Sequence, residues 1–388
     1  MPATERAATR RPIRIPITNV HLGGDYTGVV TVGAQQKAAN VILDTGSSTL
    51  ALDGNFYNPS EDKSSRLTNV AQEIQYGGGS WIGAVVQSDV RIGGERAPRV
   101  NLAIAYVVSE NIFGKGNGIL GLAYTRLNKA FTLPGKTWPP RYHYNQIQDG
   151  LVTFLPPYFT QMEKEGILAN KFAFYTKRSL TSYAKNDPSA DPLNKGFLVL
   201  GGGEESEDLY DRSQPFRSVR VMADDWYNTN LKSIIVGASD PIRVPPPTKG
   251  TANLTNSIID SGTNRLILNQ ALFDTLTERL SKGSDRQFVH AMRSGYLPMN
   301  QLDRKTWPNI TFVLEGVSGN VSLAVTPQNY WQVNSPERGY ATASISGDGG
   351  QLDGLSILGL PLMNGYFTIF DRSIDRLGVI KFAPQPST

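Results

Sequence analysis

The chain has 388 residues, of which 38 are basic and 34 acidic, a formal net charge of +4, and no cysteine. That length accommodates two ordinary domains, and 39% hydrophobic with 19% charged residues is a globular composition rather than a disordered one. The small charge, without a Lys/Arg block, excludes a nucleic-acid binder, and the lack of any apolar run of about 18 residues excludes a membrane-spanning helix.

In chain order the segment Met1 to Pro16, with Arg6, Arg10, Arg11 and Arg14, reads as a solvated tail with no signal-peptide core. Apolar runs at Ile13–His21, Gly28–Gly33, Asn40–Leu43, Trp81–Ile92 and Val100–Val108 read as strands. Helical periodicity is confined to Leu155–Glu165, whose Pro156 and Pro157 fit a helix start, to Asn269–Lys282 with Leu272, Phe273, Leu276 and Leu280 on one face, and to Asp285–Ser294. The expected fold class is therefore mostly β, in β-rich lobes rather than an α/β barrel. A strand-like run from Gly196 to Gly202 and the acidic stretch Glu204 to Asp211 place the domain boundary near Arg212, giving units 1–212 and 213–388. Arg126–Gly150 and Ser179–Lys195 read as inserted surface loops.

One pattern occurs twice. Val41-Ile42-Leu43 runs into Asp44-Thr45-Gly46-Ser47, and Ser257-Ile258-Ile259 runs into Asp260-Ser261-Gly262-Thr263. Each is followed later by an Ile-Leu-Gly partner, at Ile119-Leu120-Gly121 and Ile357-Leu358-Gly359. An ordered pair of motifs used twice implies two copies of one unit, with one Asp from each meeting at a pseudo-two-fold axis. The glycines permit the close backbone approach such an axis needs. Thr45 and Ser261 can hydrogen-bond across the junction, and Ser47 and Thr263 can donate to the neighbouring carboxylates. Two carboxyls held together share a proton, which provides an acid and a base at one site.

From about Arg14 to Ala383 the sequence resembles the pepsin-like aspartic proteases. The resemblance implies a bilobal fold, an active cleft between pseudo-two-fold-related lobes, and an endopeptidase in which Asp44 and Asp260 activate a water without a covalent intermediate. Hydrophobic residues are then expected at the scissile bond, with an acid pH optimum and sensitivity to statine-type inhibitors. Gln75-Tyr76-Gly77-Gly78-Gly79-Ser80-Trp81 reads as a hairpin tip with a four-residue glycine-rich turn, mobile in the free protein, and matches the family's flap, whose Tyr falls at Tyr76. The family's Trp seven residues after the first Asp is replaced by Ala51, leaving Trp81 as an internal partner for Tyr76, a feature similar to the β-secretase branch. By the same resemblance Gly46, Gly262, Thr263 and Gly78 would hold the substrate backbone, pockets would lie near Tyr76 and Phe113, and Arg265 would favour an acidic substrate side chain.

Neither a cofactor nor a metal is expected: His21, His143 and His290 are scattered and cysteine is absent. Lack of cysteine and of a signal peptide points to a cytoplasmic, bacterial protein, expected to be a monomer and to have no inhibitory prosegment because strand-like sequence starts near Ile13. Sequons at Asn253, Asn309 and Asn320 read as chance occurrences. Two other function classes are open to the same residues: a catalytically silent pepsin-like binding or inhibitor module, and a two-carboxylate glycosidase. The intact Asp44, Asp260 and Tyr76 argue against the first, and the doubled Asp-hydroxyl-Gly motif against the second.

Overall fold

A computed structural model describes residues 11–386 apart from 110, 134–146, 148–149, 247–254 and 284–285. The tail before residue 11, most of the 126–150 segment, His143, Asn253 and Asp285 lie outside the described residues. The remainder is mostly β with few helices, the fold class expected from the sequence. No described helix is long and apolar enough to cross a membrane.

The predicted runs become strands Ile13–Thr18, Thr27–Val32, Lys37–Asp44, Gly79–Ile92 and Glu95–Val108. The first stops three residues short of His21 because Asn19 leaves the sheet: its side chain and N–H bond the Arg178 and Asn194 carbonyls instead of a neighbouring strand. The last two form one long hairpin through Gly93 and Gly94, both at positive φ, 58° and 92°, the backbone a tight two-residue hairpin requires. Helices form at Tyr158–Lys164, directly after Pro157, and at Gln270–Gly283 and Arg286–Ser294. The predicted stripe Leu272, Phe273, Leu276 and Leu280 is buried.

The two lobes share a central antiparallel sheet. Its order is Ile13–Thr18, Lys195–Leu200, Lys171–Tyr175, Tyr366–Asp371, Val379–Pro384, Arg217–Arg220. The pairing of Ala173 with Ile369 lies at its middle, with three strands to each side. Phe172, Phe174 and Phe370 pack beneath it, Phe172 and Phe370 stacked with ring centroids 5.0 Å apart. The acidic stretch 204–211 is docked on this sheet rather than loose: Glu204 pairs with Lys171 at 2.8 Å and Lys381 at 2.6 Å, and Leu209 is buried. The 179–195 segment likewise departs from a simple surface loop. Residues 179–182 are buried, and the Tyr183 N–H donates to the Asn334 carbonyl at 2.9 Å.

A buried carboxylate fixes the first lobe's outer edge. Asp62 accepts from the Tyr57 and Ser88 hydroxyls at 2.5 Å each and from the Ala34 and Ser64 N–H groups at 2.9 Å. Burial alone would raise its pKa, but these bonds, led by Ser88 and Tyr57, bring it down to about 2. A folded pKa below the unfolded one contributes stability that is complete above about pH 4 and disappears as pH falls through the folded value. Asp62→Asn is therefore expected to cost about 2 kcal/mol at neutral pH and almost nothing near pH 2. Urea denaturation of both proteins at the two pH values checks this, and an equal cost at both would contradict it.

Candidate active site

Two small interlocking motifs build the site, one in each lobe. In the first, β1 (Lys37–Asp44) runs parallel to β4 (Gly118–Gly121), while β2 (Leu50–Asp53) lies antiparallel to β4 and parallel to β3 (Glu95–Val108). In the second, β5 (Ser257–Ile259) runs parallel to β8 (Ser356–Leu358), and β6 (Leu266–Leu268) lies antiparallel to β8 and parallel to β7 (Ile345–Gly347). The registers match: Ile42 sits opposite Ile119, and Ile258 opposite Ile357. All three residues before each Asp are buried, the apolar ones as a covered strand requires and Ser257 with its hydroxyl bonded to the Thr229 carbonyl at 3.0 Å.

This explains the Ile-Leu-Gly partners. Gly121 passes under the first Asp loop so closely that a Cβ there would lie 2.4 Å from the Ser48 nitrogen, and a Cβ on Gly359 would lie 2.1 Å from the Thr263 carbonyl oxygen. Each glycine N–H then bonds the residue five after its Asp, Gly121 to the Thr49 carbonyl at 2.9 Å and Gly359 to the Arg265 carbonyl at 3.2 Å.

The loops are locked to one another across the pseudo-axis. The Thr45 hydroxyl accepts from the Ser261 N–H at 2.8 Å and donates to the Ile259 carbonyl at 3.1 Å. Reciprocally, the Ser261 hydroxyl accepts from the Thr45 N–H at 3.0 Å and donates to the Leu43 carbonyl at 2.8 Å. All four residues are buried, so each bond is shielded from competing water. Gly46 and Gly262 sit against the opposite lobe's carboxyl: a Cβ on Gly46 would lie 2.7 Å from Asp260 Oδ1, and one on Gly262 2.3 Å from Asp44 Oδ1. Each glycine N–H also donates to its own lobe's Asp, at 2.7 Å for Asp44 and 2.9 Å for Asp260.

The pair is not electrostatically symmetric. The Thr263 hydroxyl donates to Asp260 Oδ2 at 2.6 Å. The Ser47 hydroxyl, expected to do the same for Asp44, is buried with no partner in hydrogen-bonding geometry, though near enough to offset part of the burial. Asp44 is accordingly held well above the usual carboxylate range, first by burial and then by the charge of Asp260. A protonated and an ionised carboxyl side by side can donate a proton and accept one in a single step.

The hairpin over the pair turns more tightly than expected. Tyr76 is registered with Gly79, so only Gly77 and Gly78 form the turn, and Gly79 and Ser80 belong to the strand. Gly79 has φ 145°, which disfavours a side chain, and a Cβ there would also strike Ile112 and the Ser109 carbonyl oxygen, at 2.4 and 2.7 Å. Trp81 is registered with Ile74, which places it diagonal to Tyr76 rather than directly opposite, on the same face. Its indole N–H donates to the Tyr76 hydroxyl at 3.3 Å, so the partner lies within the hairpin, and Ala51 is buried in the same apolar cluster.

A cavity of about 720 Å³ opens between hairpin and carboxyls. Asp44, Gly46, Tyr76, Gly78, Phe113, Asp260, Gly262 and Thr263 line it, together with Trp226 and Ile357. Thr45, Ser47, Ser261 and Trp81 stand behind that wall. Arg265 does not line the cavity: its guanidinium donates to the Ala343 carbonyl at 3.1 Å. Two lining features were not foreseen, the carboxyl of Asp25 and the loop from Gln351 to Leu355. In the sequence, Gly-Gly-Asp-Tyr reads as an ordinary turn, and nothing there signals a carboxyl in the cavity wall.

Fold and site together define a bilobal β protein with one carboxyl from each lobe meeting beneath a hairpin. The family model described as eukaryotic aspartyl protease matches residues 25–382, and the chain belongs to that family. It is 23% identical over 393 residues to a β-secretase of Strongylocentrotus purpuratus, an alignment that takes in 92% of this chain and 66% of that protein. It is 24% identical over 379 residues to pepsin-3 of Oryctolagus cuniculus, covering 92% and 81%, and 24% identical over 385 residues to pepsin A of Sus scrofa, covering 95% and 84%.

Proposed function

We propose that the protein is an aspartic endopeptidase that hydrolyses peptide bonds in extended substrates through a water activated between Asp44 and Asp260. The observation that carries this reading is the reciprocal packing of the two Asp loops, each with its glycine against the other lobe's carboxyl. An ionised carboxylate takes a proton from the water as it adds to the peptide carbonyl, and the protonated one donates to the carbonyl oxygen. Collapse of the tetrahedral diol then delivers a proton to the leaving nitrogen. The two groups titrate as a unit. Apolar walls from Ile42, Ile112, Phe113, Ile119 and Ile357 favour hydrophobic residues at the scissile bond. Activity is expected on the acid side. Burial and the charge of Asp260 hold the Asp44 proton above the usual carboxylate range despite the Gly46 N–H, so activity should extend toward neutrality.

The test is calorimetric titration with a statine-type peptide, whose secondary hydroxyl resembles the diol, at about pH 5, where one proton is shared. One site per chain is expected, with affinity falling roughly 100-fold or more in Asp260→Asn, which removes one of the two carboxyls that hold the diol. No binding to wild-type protein would favour the silent module.

A further inference from the structure

Asp25 has no part in the reaction just described. It is 8% exposed, lines the same cavity as Asp44 and Asp260, and its Oδ1 is buried without a hydrogen-bond partner. An unsatisfied buried carboxyl oxygen is costly to keep, and no described Lys or Arg pairs with Asp25, so a cation brought by a bound peptide would offset that cost. Its position is fixed from both lobes. A Cβ on neighbouring Gly24 would lie 2.4 Å from the Asn264 side-chain nitrogen and 2.8 Å from the Ser179 carbonyl oxygen. The Thr181 N–H holds the Gly23 carbonyl at 3.2 Å, and the Lys177 N–H donates to the Tyr26 hydroxyl at 3.0 Å.

The charges around it have one sign. Asp25, Asp44, Asp260 and Asp353 line the cavity, and among the described lining residues there is no Lys, Arg or His. The bases on adjoining segments are turned elsewhere. Arg178 donates to the Leu180 and Val333 carbonyls at 2.7 Å each, and Arg265 to Ala343. His21, its pKa lowered by burial and then by Lys115, does not line the cavity.

We propose that Asp25 is a specificity-determining residue that selects peptides carrying a Lys or Arg side chain to one side of the scissile bond, the reverse of the acidic preference expected from Arg265. The proposal rests on the peptidase reading for the chemistry but not for the binding. Burial, and then the charge of Asp260, hold the Asp25 proton up to about 8, so the carboxyl is neutral in the empty cleft at acid pH. An ammonium or guanidinium beside it favours the ionised form, so binding a basic side chain releases a proton. The preference for a basic side chain over a neutral one of equal length must then grow as pH rises toward the free carboxyl's pKa.

The experiment uses peptides identical except for Lys or norleucine, placed in turn at each position around the cleaved bond. Two readouts run side by side: kcat/KM for the wild type and Asp25→Asn, and fluorescence anisotropy of peptide binding to Asp44→Asn from about pH 5 to 8, the interval below the Asp25 titration. At one position the wild type is expected to prefer Lys by about tenfold near pH 6, an ion pair worth about 1.4 kcal/mol. The binding preference should rise with pH, and the kcat/KM ratio should fall to about one in Asp25→Asn. Should that variant not fold, the pH dependence of binding decides alone. Equal treatment of both peptides, a ratio that does not change with pH, or a Lys preference kept in a folded Asp25→Asn would overturn the proposal while leaving the peptidase standing. Lys-selective binding without cleavage by the wild type would do the opposite, retaining the Asp25 assignment for a cleft that binds and does not cut.

Discussion

Asp44→Asn is expected to lower kcat/KM for any cleaved peptide by roughly 10³ or more, the scale for deleting one member of an acid–base pair that acts as a unit, while making the fold more stable at neutral pH. The activity loss follows because an amide can neither hold nor release the shared proton. The gain in stability follows from the sign of the pKa shift. Burial and the charge of Asp260 raise the Asp44 pKa in the folded state, so the fold binds that proton more tightly than the unfolded chain does. Folding is therefore penalised as pH rises above the unfolded carboxyl's value of about 4, and protonation removes the penalty. Asparagine never carries the charge, and its side-chain oxygen can still accept the Gly46 N–H that bonds Asp44 at 2.7 Å. Melting temperatures should thus rise in the variant at pH 7 and coincide with wild type near pH 3, well below the folded value. A variant less stable at pH 7 would mean that the two carboxyls are not held in mutual repulsion. Such a trade of stability for function is what an active-site charge pair predicts.

Gly262→Ala is the second large effect, and it separates activity from folding. The new methyl would lie 2.3 Å from Asp44 Oδ1 and 2.7 Å from its Cγ. What must give way is the end of a side chain, and Gly262 is not at positive φ, so the backbone accepts alanine. Displacing the carboxyl by about 1 Å is expected to cost roughly 100-fold in kcat. The melting temperature should change by only a few degrees, as for a substitution of about 1 kcal/mol. Gly46→Ala should act in the same way through Asp260, 2.7 Å away. Gly121→Ala provides the contrast. Its methyl would meet main-chain atoms of Ser48 and Thr49 at 2.4 to 2.5 Å, which cannot swing aside, so that variant should lose its fold along with its activity. Full activity in Gly262→Ala would show that the carboxyls do not act at the positions seen here.

The repeated Asp-hydroxyl-Gly-hydroxyl and Ile-Leu-Gly motifs made the two parallel strand crossings legible, because buried parallel strands need all-apolar runs and crossing backbones need glycine. The helix face of Leu272 to Leu280 was legible from its periodicity. What the sequence did not disclose depends on contacts between distant segments. That Asp25 comes close enough to Asp260 to feel its charge follows from the packing of Gly24 against Asn264, 240 residues further along the chain. That Ser47 lacks a partner where Thr263 has one depends on local geometry that two near-identical motifs do not distinguish. The tight Gly77-Gly78 turn was obscured for a different reason: Gly79 belongs to the strand, where its φ of 145° and the closeness of Ile112 and the Ser109 carbonyl call for glycine, so three consecutive glycines overstate the turn.

The most direct measurement is mass-spectrometric analysis of a diverse peptide mixture incubated with wild type, Asp44→Asn and Asp260→Asn from about pH 3 to 7, the span over which a carboxyl pair shares one proton. Cleavage between hydrophobic residues by the wild type on the acid side, absent from both variants and suppressed by a statine-type inhibitor, is the predicted result. Intact peptides at every pH, or cleavage that persists in either variant, would contradict the assignment of Asp44 and Asp260 as one catalytic pair.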